Sequence, residues 1–496
     1  MNRARPASWR IHGGRICLLA AFLVPAIVYL ASASSEPASW DTAELQGVPY
    51  LLGISHPTGF PLYVLLGYVW SHLIPVGTVA FRMNAMTGIA MAIVCATAYA
   101  VALEFGASLP VALAATLWFA FTQNIWAHAA RAEAQVLAVM FSVLGIYAFL
   151  RWLRDGAGRW FAAAFAFCGL GMAAHPNALW TLPALLVGAA IAKRRPSLRL
   201  TAGGLALVLA GLMLYLYLPL RSAYVVAHDL DPAAALPGAV GGIFWNYNDP
   251  HTLQGFVTEL TGSETQTLSY FLASFNPVHI DDALWAFFAG THAQYGTIAI
   301  LLLIGGLVAA WRRNWRATLV LCIACTGALL FSVVYPNESD VGRYRMLASW
   351  LAVPLFGALT PRSNRGIGAM LHGALILFLG TGAALAFNQQ RGFLERAPDE
   401  GGRWVIGAVE PYVPPGSAIV TGWLDATSLA YGAYVDRSLP GRIIVSDNQL
   451  RVQVYRPWAK ERRVFVLVDP HDVRALPGAR DYATLDAYHE LFEVRP

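Results

Sequence analysis

Long apolar runs dominate this chain and restrict it to folds that suit a lipid bilayer. Of its 496 residues, 57% are hydrophobic and only 13% are charged, whereas soluble domains carry about 25% charged residues. A helix needs about 20 mostly apolar residues to cross the hydrocarbon core. The sequence therefore predicts a mainly α, polytopic membrane protein with about 11 transmembrane helices, and an N-terminal run that stays as an uncleaved anchor. The apolar windows are 16–34, 83–104, 109–125, 134–151, 160–175, 178–192, 200–219, 290–310, 317–335, 346–360 and 366–387.

The predicted orientation of the chain in the membrane depends on segment 60–77, which is apolar but interrupted by Pro61, His72 and Pro75. If this segment lies in the membrane interface, the inside loops hold 16 lysines and arginines, and the outside loops before residue 390 hold five. If it spans the membrane, that bias inverts. The positive-inside rule therefore favours a cytoplasmic N-terminus and an extracytoplasmic C-terminus. Because the cations lie in short clusters at the ends of apolar runs, the net charge of +5 does not indicate a nucleic-acid partner.

The first predicted external loop, 35–82, combines two acids and a histidine. Asp41 and Glu44 are three residues apart, so both carboxylates share one face if the segment is helical. Such a pair suits proton abstraction, binding of a divalent cation or stabilisation of a developing positive charge. The same spacing also resembles a capping box, in which both side chains only satisfy N–H groups at a helix start. His56 follows in a turn rich in proline and glycine, where it could pack the turn or orient Asp41.

Most other ionisable residues outside the basic clusters fall on the predicted outer side. A charge at the bilayer centre costs about 2.5–3.5 kcal/mol, so such residues usually face a cavity or a partner. We expect one polar cavity at the outer interface, which by polarity alone could equally be a transport vestibule. Arginines and tryptophans at span ends could instead be membrane anchors, and His175 could cap its span. The cavity candidates are His128, Glu133, His175 and Trp245, together with the turn 335–345 and the long external loop 221–289.

The composition changes near residue 391, where hydropathy falls and turn signals become frequent. Short β-rich runs at 417–421, 442–445 and 463–468 alternate with helical segments at 424–434 and 447–459. This pattern predicts a small extracytoplasmic α/β domain over 391–496, following a transmembrane domain over 1–390. Asp469, His471 and Asp472 follow the third run, where a solvated turn is favoured over a binding site.

Several stretches resemble a known family. Asp41-Thr-Ala-Glu44-Leu and Leu52-Gly-Ile-Ser-His56-Pro-Thr-Gly-Phe-Pro-Leu-Tyr63 are similar to the signature of a membrane family first catalogued as a domain of unknown function. That family includes the protein O-mannosyltransferase transmembrane protein 260. The similarity continues in chain order through most of the first 350 residues, at 126–133, 169–175, 216–222, 245–256 and 335–345.

The resemblance implies a GT-C type glycosyltransferase that takes a sugar, mannose or another hexose, from a polyprenyl-phosphate carrier on the outer face. The key acid of such enzymes lies in the first external loop, which makes Asp41 the predicted general base of an inverting reaction. Glu44 would orient the acceptor, hold a divalent cation or stabilise oxocarbenium-like charge. Because the departing phosphate needs a cation, the predicted phosphate ligands are Arg221, Arg343, Arg345 and His56.

The acceptor is open between a protein Ser/Thr hydroxyl, a glycan and a lipid. Membrane lipids are the expected surroundings, and the composition favours a bacterial inner membrane. The alternative function is a polytopic lipid or glycan transporter without transferase activity. A transporter would more often show charges in mid-span and paired internal repeats.

Overall fold

The chain folds as two compact units, each assembled from three separated stretches. The computed structural model describes residues 7–239, 242–262, 275–334, 341–363, 365–395, 401–471 and 476–496. The helical unit comprises Met1–Ser32, Thr87–Leu214 and Leu268–Glu395. The sheet unit comprises Ala33–Met86, Tyr215–Thr267 and Arg396–Pro496. The division into a transmembrane domain over 1–390 and an extracytoplasmic domain over 391–496 stays a prediction.

The helical unit consists of apolar helices joined by short turns, and each of the predicted windows overlaps a helix of the structure. Small residues allow close packing, which drives helix association in lipid. A Cβ added to Gly211 would lie 2.4 Å from the carbonyl carbon of Gly169. The helices are Ala7–Ser32, Val79–Glu104, Leu109–Phe121, Gln123–Ala129, Ala134–Asp155, Gly158–Ala174, Thr181–Ile191, Leu198–Leu212, Pro277–Val334, Gly342–Trp350, Ala352–Ala358, Ile367–Gln390 and Gly392–Glu395, with 3₁₀ turns at Pro176–Trp180 and Met213–Leu216.

Six helices in the described residues are long and apolar enough to cross a membrane. The longest would measure about 85 Å if straight, but non-helical backbone interrupts it at Gly296 and Asn314. The predicted spans 290–310 and 317–335 lie on either side of Asn314, so this one helix supplies two of them. The six are Gly13–Ser32, Val79–Glu104, Ala134–Asp155, Leu198–Ala227, Pro277–Val333 and Ile367–Gln390, and shorter apolar helices cover Leu109–Phe121, Gly158–Ala174 and Pro176–Ile191.

The sheet unit is built on five strands in the order β2-β1-β3-β5-β4. β1 pairs in parallel with β2 and β3, and β5 pairs antiparallel with β3 and β4. The strands are β1 Ala418–Thr421, β2 Ile443–Ser446, β3 Val464–Val468, β4 Ala479–Thr484 and β5 Glu490–Val494. The helices of this unit are Trp40–Leu51, Pro61–Leu73, Tyr217–Ala227, Leu253–Thr261, Gly401–Val409, Trp423–Ala430 and Val452–Ala459, with a 3₁₀ turn at Pro232–Ala235 and a π-helical turn at Tyr431–Val435.

Alternate strand residues face opposite sides of this sheet, as the period of two requires. On one side, Ile419 and Phe465 join a buried cluster that includes Val48 and Leu429. On the other side, Val420 and neighbouring strand residues pack in a separate cluster with Trp458. The first cluster packs the helix Trp40–Leu51 against the helix Trp423–Ala430, and this contact positions the candidate site.

The strand and helix pattern predicted for the tail is largely found, but one helix starts later than predicted and the strands β4 and β5 were not predicted. β1 to β3 lie within one residue of the predicted runs. The helix predicted from 447 begins at Val452, because Asp447 accepts backbone hydrogen bonds from Gln449 and Arg451 and forms a turn instead.

The helix Pro61–Leu73 has 13 residues and a length of about 20 Å. This is shorter than a bilayer core and agrees with an interfacial segment.

Candidate active site

The candidate site begins at the first turn of the helix Trp40–Leu51, where Asp41 and Glu44 lie one turn apart. Ser39 is the N-cap and makes no side-chain capping hydrogen bond. Trp423 donates to Asp41, and His56 donates to Glu44, so both acids have tertiary partners. The geometry therefore differs from a capping box. An acid in the first turn also interacts favourably with the helix dipole.

Asp41 is partly exposed and is held by a tryptophan from the C-terminal part of the chain. The indole Nε1 of Trp423 donates to Asp41 Oδ1 at 2.9 Å. Trp423 starts the helix that follows β1, so the sheet fixes the indole in position. Sequence reasoning missed Trp423, because nothing local relates it to a residue 382 positions earlier.

Glu44 is fully buried and both of its oxygens accept hydrogen bonds from His56. The backbone N–H of His56 donates to Oε1 at 2.7 Å, and the ring Nδ1 donates to Oε2. The side chain of His56 keeps 22% exposure. The ring meets Phe60 and Trp423 edge-on, with centroids 5.1 and 5.7 Å apart. Trp423 thus contacts both His56 and Asp41.

The turn that carries His56 needs glycine at position 59. Gly59 has φ +76°, and a Cβ there would lie 2.6 Å from Leu218 Cδ2 and 3.2 Å from Glu259 Oε1. Glu259 is a second fully buried acid in this unit, and its Oε2 accepts a hydrogen bond from Asn248 at 3.0 Å. Sequence reasoning missed Glu259, although it closely follows the family-like stretch 245–256.

Arg221 lies at the opposite end of the helix that carries the two acids. Its Nε donates to the carbonyl of Leu52 at 2.6 Å, and its Nη2 donates to the carbonyl of Leu51 at 3.3 Å. Tyr217 donates to the same Leu52 carbonyl at 2.8 Å. These contacts satisfy carbonyl groups that a helix end leaves open. Ten helical residues separate this end from Asp41, a rise of about 15 Å.

Trp245 belongs to a polar loop in the same unit. Its ring meets Tyr434 at 6.1 Å and packs against the sheet cluster. One residue later, Asn246 Nδ2 donates to Asp249 Oδ1 at 2.6 Å, and His251 Nδ1 donates to the same oxygen at 2.7 Å. The family-like stretch therefore forms its own hydrogen-bonded loop beside Trp245.

Other predicted site residues lie in the helical unit, where three of them come together. Glu133 is buried, and its Oε2 accepts from Arg131 Nη2 at 3.4 Å. Arg343 Nη1 lies 4.0 Å from Glu133 Oε1. His128 Nδ1 donates to the carbonyl of Asn124 at 2.7 Å, and the Asn124 side chain donates to the carbonyl of Gly342, next to Arg343. The structure thus places His128, Glu133 and Arg343 in one neighbourhood.

His175 and Arg345 are also in the helical unit. His175 Nδ1 accepts from the N–H of Asn177 at 3.1 Å and so caps the start of the 3₁₀ turn Pro176–Trp180, rather than the end of its own span. Its ring lies 5.9 Å from that of Tyr344. The Arg345 guanidinium lies 5.8 Å from the Phe287 ring. Glu338 and Asp340 of the predicted outer turn fall outside the described residues.

The tail contains a histidine between two acids that was not predicted. His489 Nε2 lies 3.6 Å from Asp425 Oδ2, and its Nδ1 lies 3.0 Å from Asp486 Oδ1. The hydrogen bond to Asp425 raises the pKa of His489 above its ordinary value of 6.5. The predicted group Asp469-Pro-His471 is an exposed turn in which Asp469 accepts from His471 at 2.8 Å. Asp472 lies outside the described residues.

Residues 41–197 match the profile of the protein O-mannosyl-transferase TMEM260 N-terminal domain. The mouse protein O-mannosyl-transferase TMEM260 is 26% identical over 258 residues, which are 51% of this chain and 34% of that protein. The Dictyostelium discoideum protein of that name is 26% identical over 137 residues, 26% of this chain and 17% of that protein. The matches thus span about a third or less of these relatives. They confirm the resemblance that the motifs indicated.

The structure is also similar to that of ArnT from Cupriavidus metallidurans in the apo state. The TM-score is 0.53 at 12% sequence identity, covering 96% of this chain and 97% of that chain. The ArnT structure bound to undecaprenyl phosphate gives the same values. This likeness confirms the predicted fold class, a mainly α integral membrane protein of GT-C type with a small C-terminal α/β domain.

Proposed function

We propose that this chain, which carries the TMEM260 N-terminal domain within an ArnT-like fold, is a membrane glycosyltransferase. It would transfer a hexose, mannose by analogy with its relatives, from a polyprenyl-phosphate carrier to an extracytoplasmic acceptor. The mouse and Dictyostelium relatives are named protein O-mannosyl-transferases, and one ArnT structure holds undecaprenyl phosphate. The observation that carries the proposal is the partly exposed Asp41 carboxylate beside the buried Glu44–His56 pair.

Asp41 acts as the general base in this proposal. Its carboxylate takes the proton of the acceptor hydroxyl while the acceptor oxygen bonds to the anomeric carbon. The bond from that carbon to the phosphate oxygen breaks, and the phosphate leaves on its polyprenyl carrier. Attack opposite the leaving group inverts the anomeric configuration. The Trp423 indole, 2.9 Å from Oδ1, orients the carboxylate.

Glu44 acts through His56 and not directly on the sugar. Both Glu44 oxygens are occupied by His56, so the role proposed for Glu44 is to orient His56, which differs from the three roles predicted for this acid. A divalent cation at Glu44 would have to displace these hydrogen bonds, and the described residues contain no group of three or more His, Cys, Asp or Glu arranged to hold a metal. Asp41 is the better-placed oxygen ligand if a cation takes part.

Among the predicted phosphate ligands, His56 is now preferred over Arg221. His56 lies beside Glu44, one turn from Asp41, within reach of a phosphate on the same sugar. Arg221 binds the far end of the helix Trp40–Leu51, a rise of about 15 Å from Asp41, and its contacts favour a helix-capping role. Arg343 and Arg345 of the helical unit remain candidate phosphate ligands. The candidate lining residues remain His128, Glu133 and His175 of the helical unit and Trp245 of the sheet unit.

The proposed setting is a bacterial inner membrane, with the N-terminus in the cytoplasm and the C-terminal domain outside. The acceptor is proposed to be a Ser/Thr hydroxyl of a protein, with glycan and lipid hydroxyls as the other classes. A lipid-linked donor cannot leave the bilayer, so the chemistry must occur where the headgroup meets water. The first external loop lies at that position in the predicted topology.

The test uses the full chain in proteoliposomes given radiolabelled polyprenyl-phosphate mannose and a membrane-protein extract. Label is then measured separately in protein, glycan and lipid fractions. The Asp41→Asn variant should lose transfer by about 10²–10⁴-fold, the usual contribution of a positioned base. The matched control is Asp469→Asn, which removes an exposed carboxylate in the tail.

Near-normal transfer by the Asp41→Asn protein would remove Asp41 from the role of base. A wild-type protein that moves labelled carrier across the bilayer without transferring sugar would instead be the predicted transporter. Equal loss in both variants would point to a general charge effect and would contradict the assignment.

A further inference from the structure

A basic cavity in the helical unit is lined by none of the candidate site residues described above. It forms where the helix Pro277–Val334 breaks at Asn314, and it has a volume of about 370 Å³. The cation count predicts that its residues face the cytoplasm, the side opposite to the proposed transfer site. Four cations and two tryptophans dominate its lining: Lys193, Arg312, Arg313, Arg316, Trp311 and Trp315.

Two of the arginines hold the helix ends that frame the cavity. Arg313 donates to the carbonyls of Phe105 at 3.0 Å and Thr360 at 2.6 Å. Arg316 Nε donates to the carbonyl of Ile191 at 2.7 Å. These contacts join the ends of separate helices, so the cavity is a fixed part of the structure.

In the part of the chain that the structure describes, no acid forms a salt bridge with the cations of the cavity. None of its eight lining residues is acidic. Among the residues that the structure describes, Lys193, Arg312, Arg313 and Arg316 form no salt bridge. The nearby acids Glu104 and Asp155 are both paired with Arg154. Because like charges in one cavity repel each other, an anion in it would lower the electrostatic energy.

The remaining residues that line the cavity favour an anion that is part of an amphipathic molecule. The rings of Trp311 and Trp315 lie 6.1 Å apart, and Arg316 lies over the Trp315 ring at 4.5 Å. Both tryptophans are exposed, as expected for residues at the headgroup level of a membrane. Asn314 Oδ1 accepts from the N–H of Ala317 at 3.3 Å and caps the second half of the helix, whose N-terminus also attracts anions.

We propose that this cavity binds the phosphate headgroup of an anionic phospholipid of the inner leaflet. Basic pockets between transmembrane helices on the cytoplasmic side are suited to such headgroups. The volume accommodates a headgroup, while the acyl chains lie along the apolar helices. Free phosphate shares the same recognition chemistry and is distinguished by the experiment.

The experiment is native mass spectrometry of the full chain in detergent, titrated with phosphatidylglycerol or with zwitterionic phosphatidylcholine. The test variant is Lys193→Gln with Arg312→Gln, which removes the two cations that make no contact with a helix end. Its matched control, Arg199→Gln with Arg365→Gln, removes two exposed cations of the same predicted face outside the cavity. Thermal melting in detergent establishes that both proteins fold, and Arg312→Gln alone is a milder second variant.

Wild-type protein should bind phosphatidylglycerol more tightly than phosphatidylcholine, and the cavity variant should lose about 30-fold in affinity, as two surface cations predict. Equal affinity of cavity and control variants would overturn the proposal. If millimolar inorganic phosphate displaces the lipid with the same variant dependence, the cavity is a site for free phosphate and the lipid assignment is wrong.

Discussion

The pairing of Glu44 with His56 makes a quantitative prediction about stability. Glu44 is fully buried, and one of its two oxygens depends on the His56 ring. Replacing His56 by alanine keeps the backbone N–H bond to Oε1 but leaves the other oxygen without that donor. Leaving a buried carboxylate without one of its hydrogen-bond donors costs about 3 kcal/mol. The variant His56→Ala should therefore lose about that much free energy of unfolding.

A double-mutant cycle isolates the part of this loss that belongs to the carboxylate. Glu44→Gln keeps the shape and removes the charge, so it should cost about 1 kcal/mol, the usual worth of one hydrogen bond. In that background, His56→Ala leaves no buried charge behind and should cost only about 1–2 kcal/mol more. The expected coupling energy is thus on the order of 2 kcal/mol.

The free energies would come from reversible denaturant unfolding of the full chain in mixed micelles, followed by tryptophan fluorescence. His471→Ala is the matched control, because this histidine contacts an acid in an exposed turn and should cost almost nothing. If the losses from Glu44→Gln and His56→Ala simply add, the two residues are not an interdependent buried pair, and the positioning role proposed for Glu44 fails.

Three further changes test other parts of the structure. Gly59→Ala should destabilise the protein by about 1–3 kcal/mol, because a Cβ at φ +76° would meet Leu218 at 2.6 Å; normal thermal melting would refute this turn. Arg221→Ala should lower the melting temperature without changing the apparent affinity for the lipid-linked donor, and a weaker donor affinity at unchanged stability would instead give Arg221 the phosphate role. The contact with Asp425 raises the pKa of His489. The stabilisation that this contact gives to the folded protein is therefore complete below pH 6.5 and is lost at higher pH. His489→Gln should therefore flatten the melting-temperature profile above that pH, and an unchanged profile would contradict the pairing.

Elements with a strong local pattern were predictable from the sequence. The apolar windows became helices because long runs of apolar residues leave the backbone no partner in lipid except itself. β1 to β3 were recognisable because their buried β-branched residues stand between turn signals. β4 was not predicted, because Ala479–Thr484 is a mostly exposed edge strand without apolar alternation. Its partner β5 was missed with it.

The contacts of the site could not be predicted in the same way. Spacing placed Asp41 and Glu44 on one helix face but could not separate a catalytic pair from a capping box. The capping box is excluded by the N-cap at Ser39 and by the hydrogen bond from Trp423, which lies 382 residues from Asp41. Likewise, the position of Arg221 after an apolar run suggested a phosphate ligand, whereas its contacts to Leu51 and Leu52 depend on a helix 169 residues earlier.

Asp41 and Glu44 have the same charge and share a helix turn, but their surroundings differ, and the proposal gives them different roles. Environment separates them, as it does in enzymes that use two carboxylates differently. Glu44 has no exposed surface and both oxygens bound by His56, so a substrate could reach it only by breaking that pair. Asp41 keeps exposed surface. Its hydrogen-bond donor Trp423 is neutral, so this contact orients the carboxylate without neutralising its charge. In the proposed reaction, the proton of the acceptor hydroxyl therefore goes to Asp41, and Glu44 would act through the position of the His56 ring.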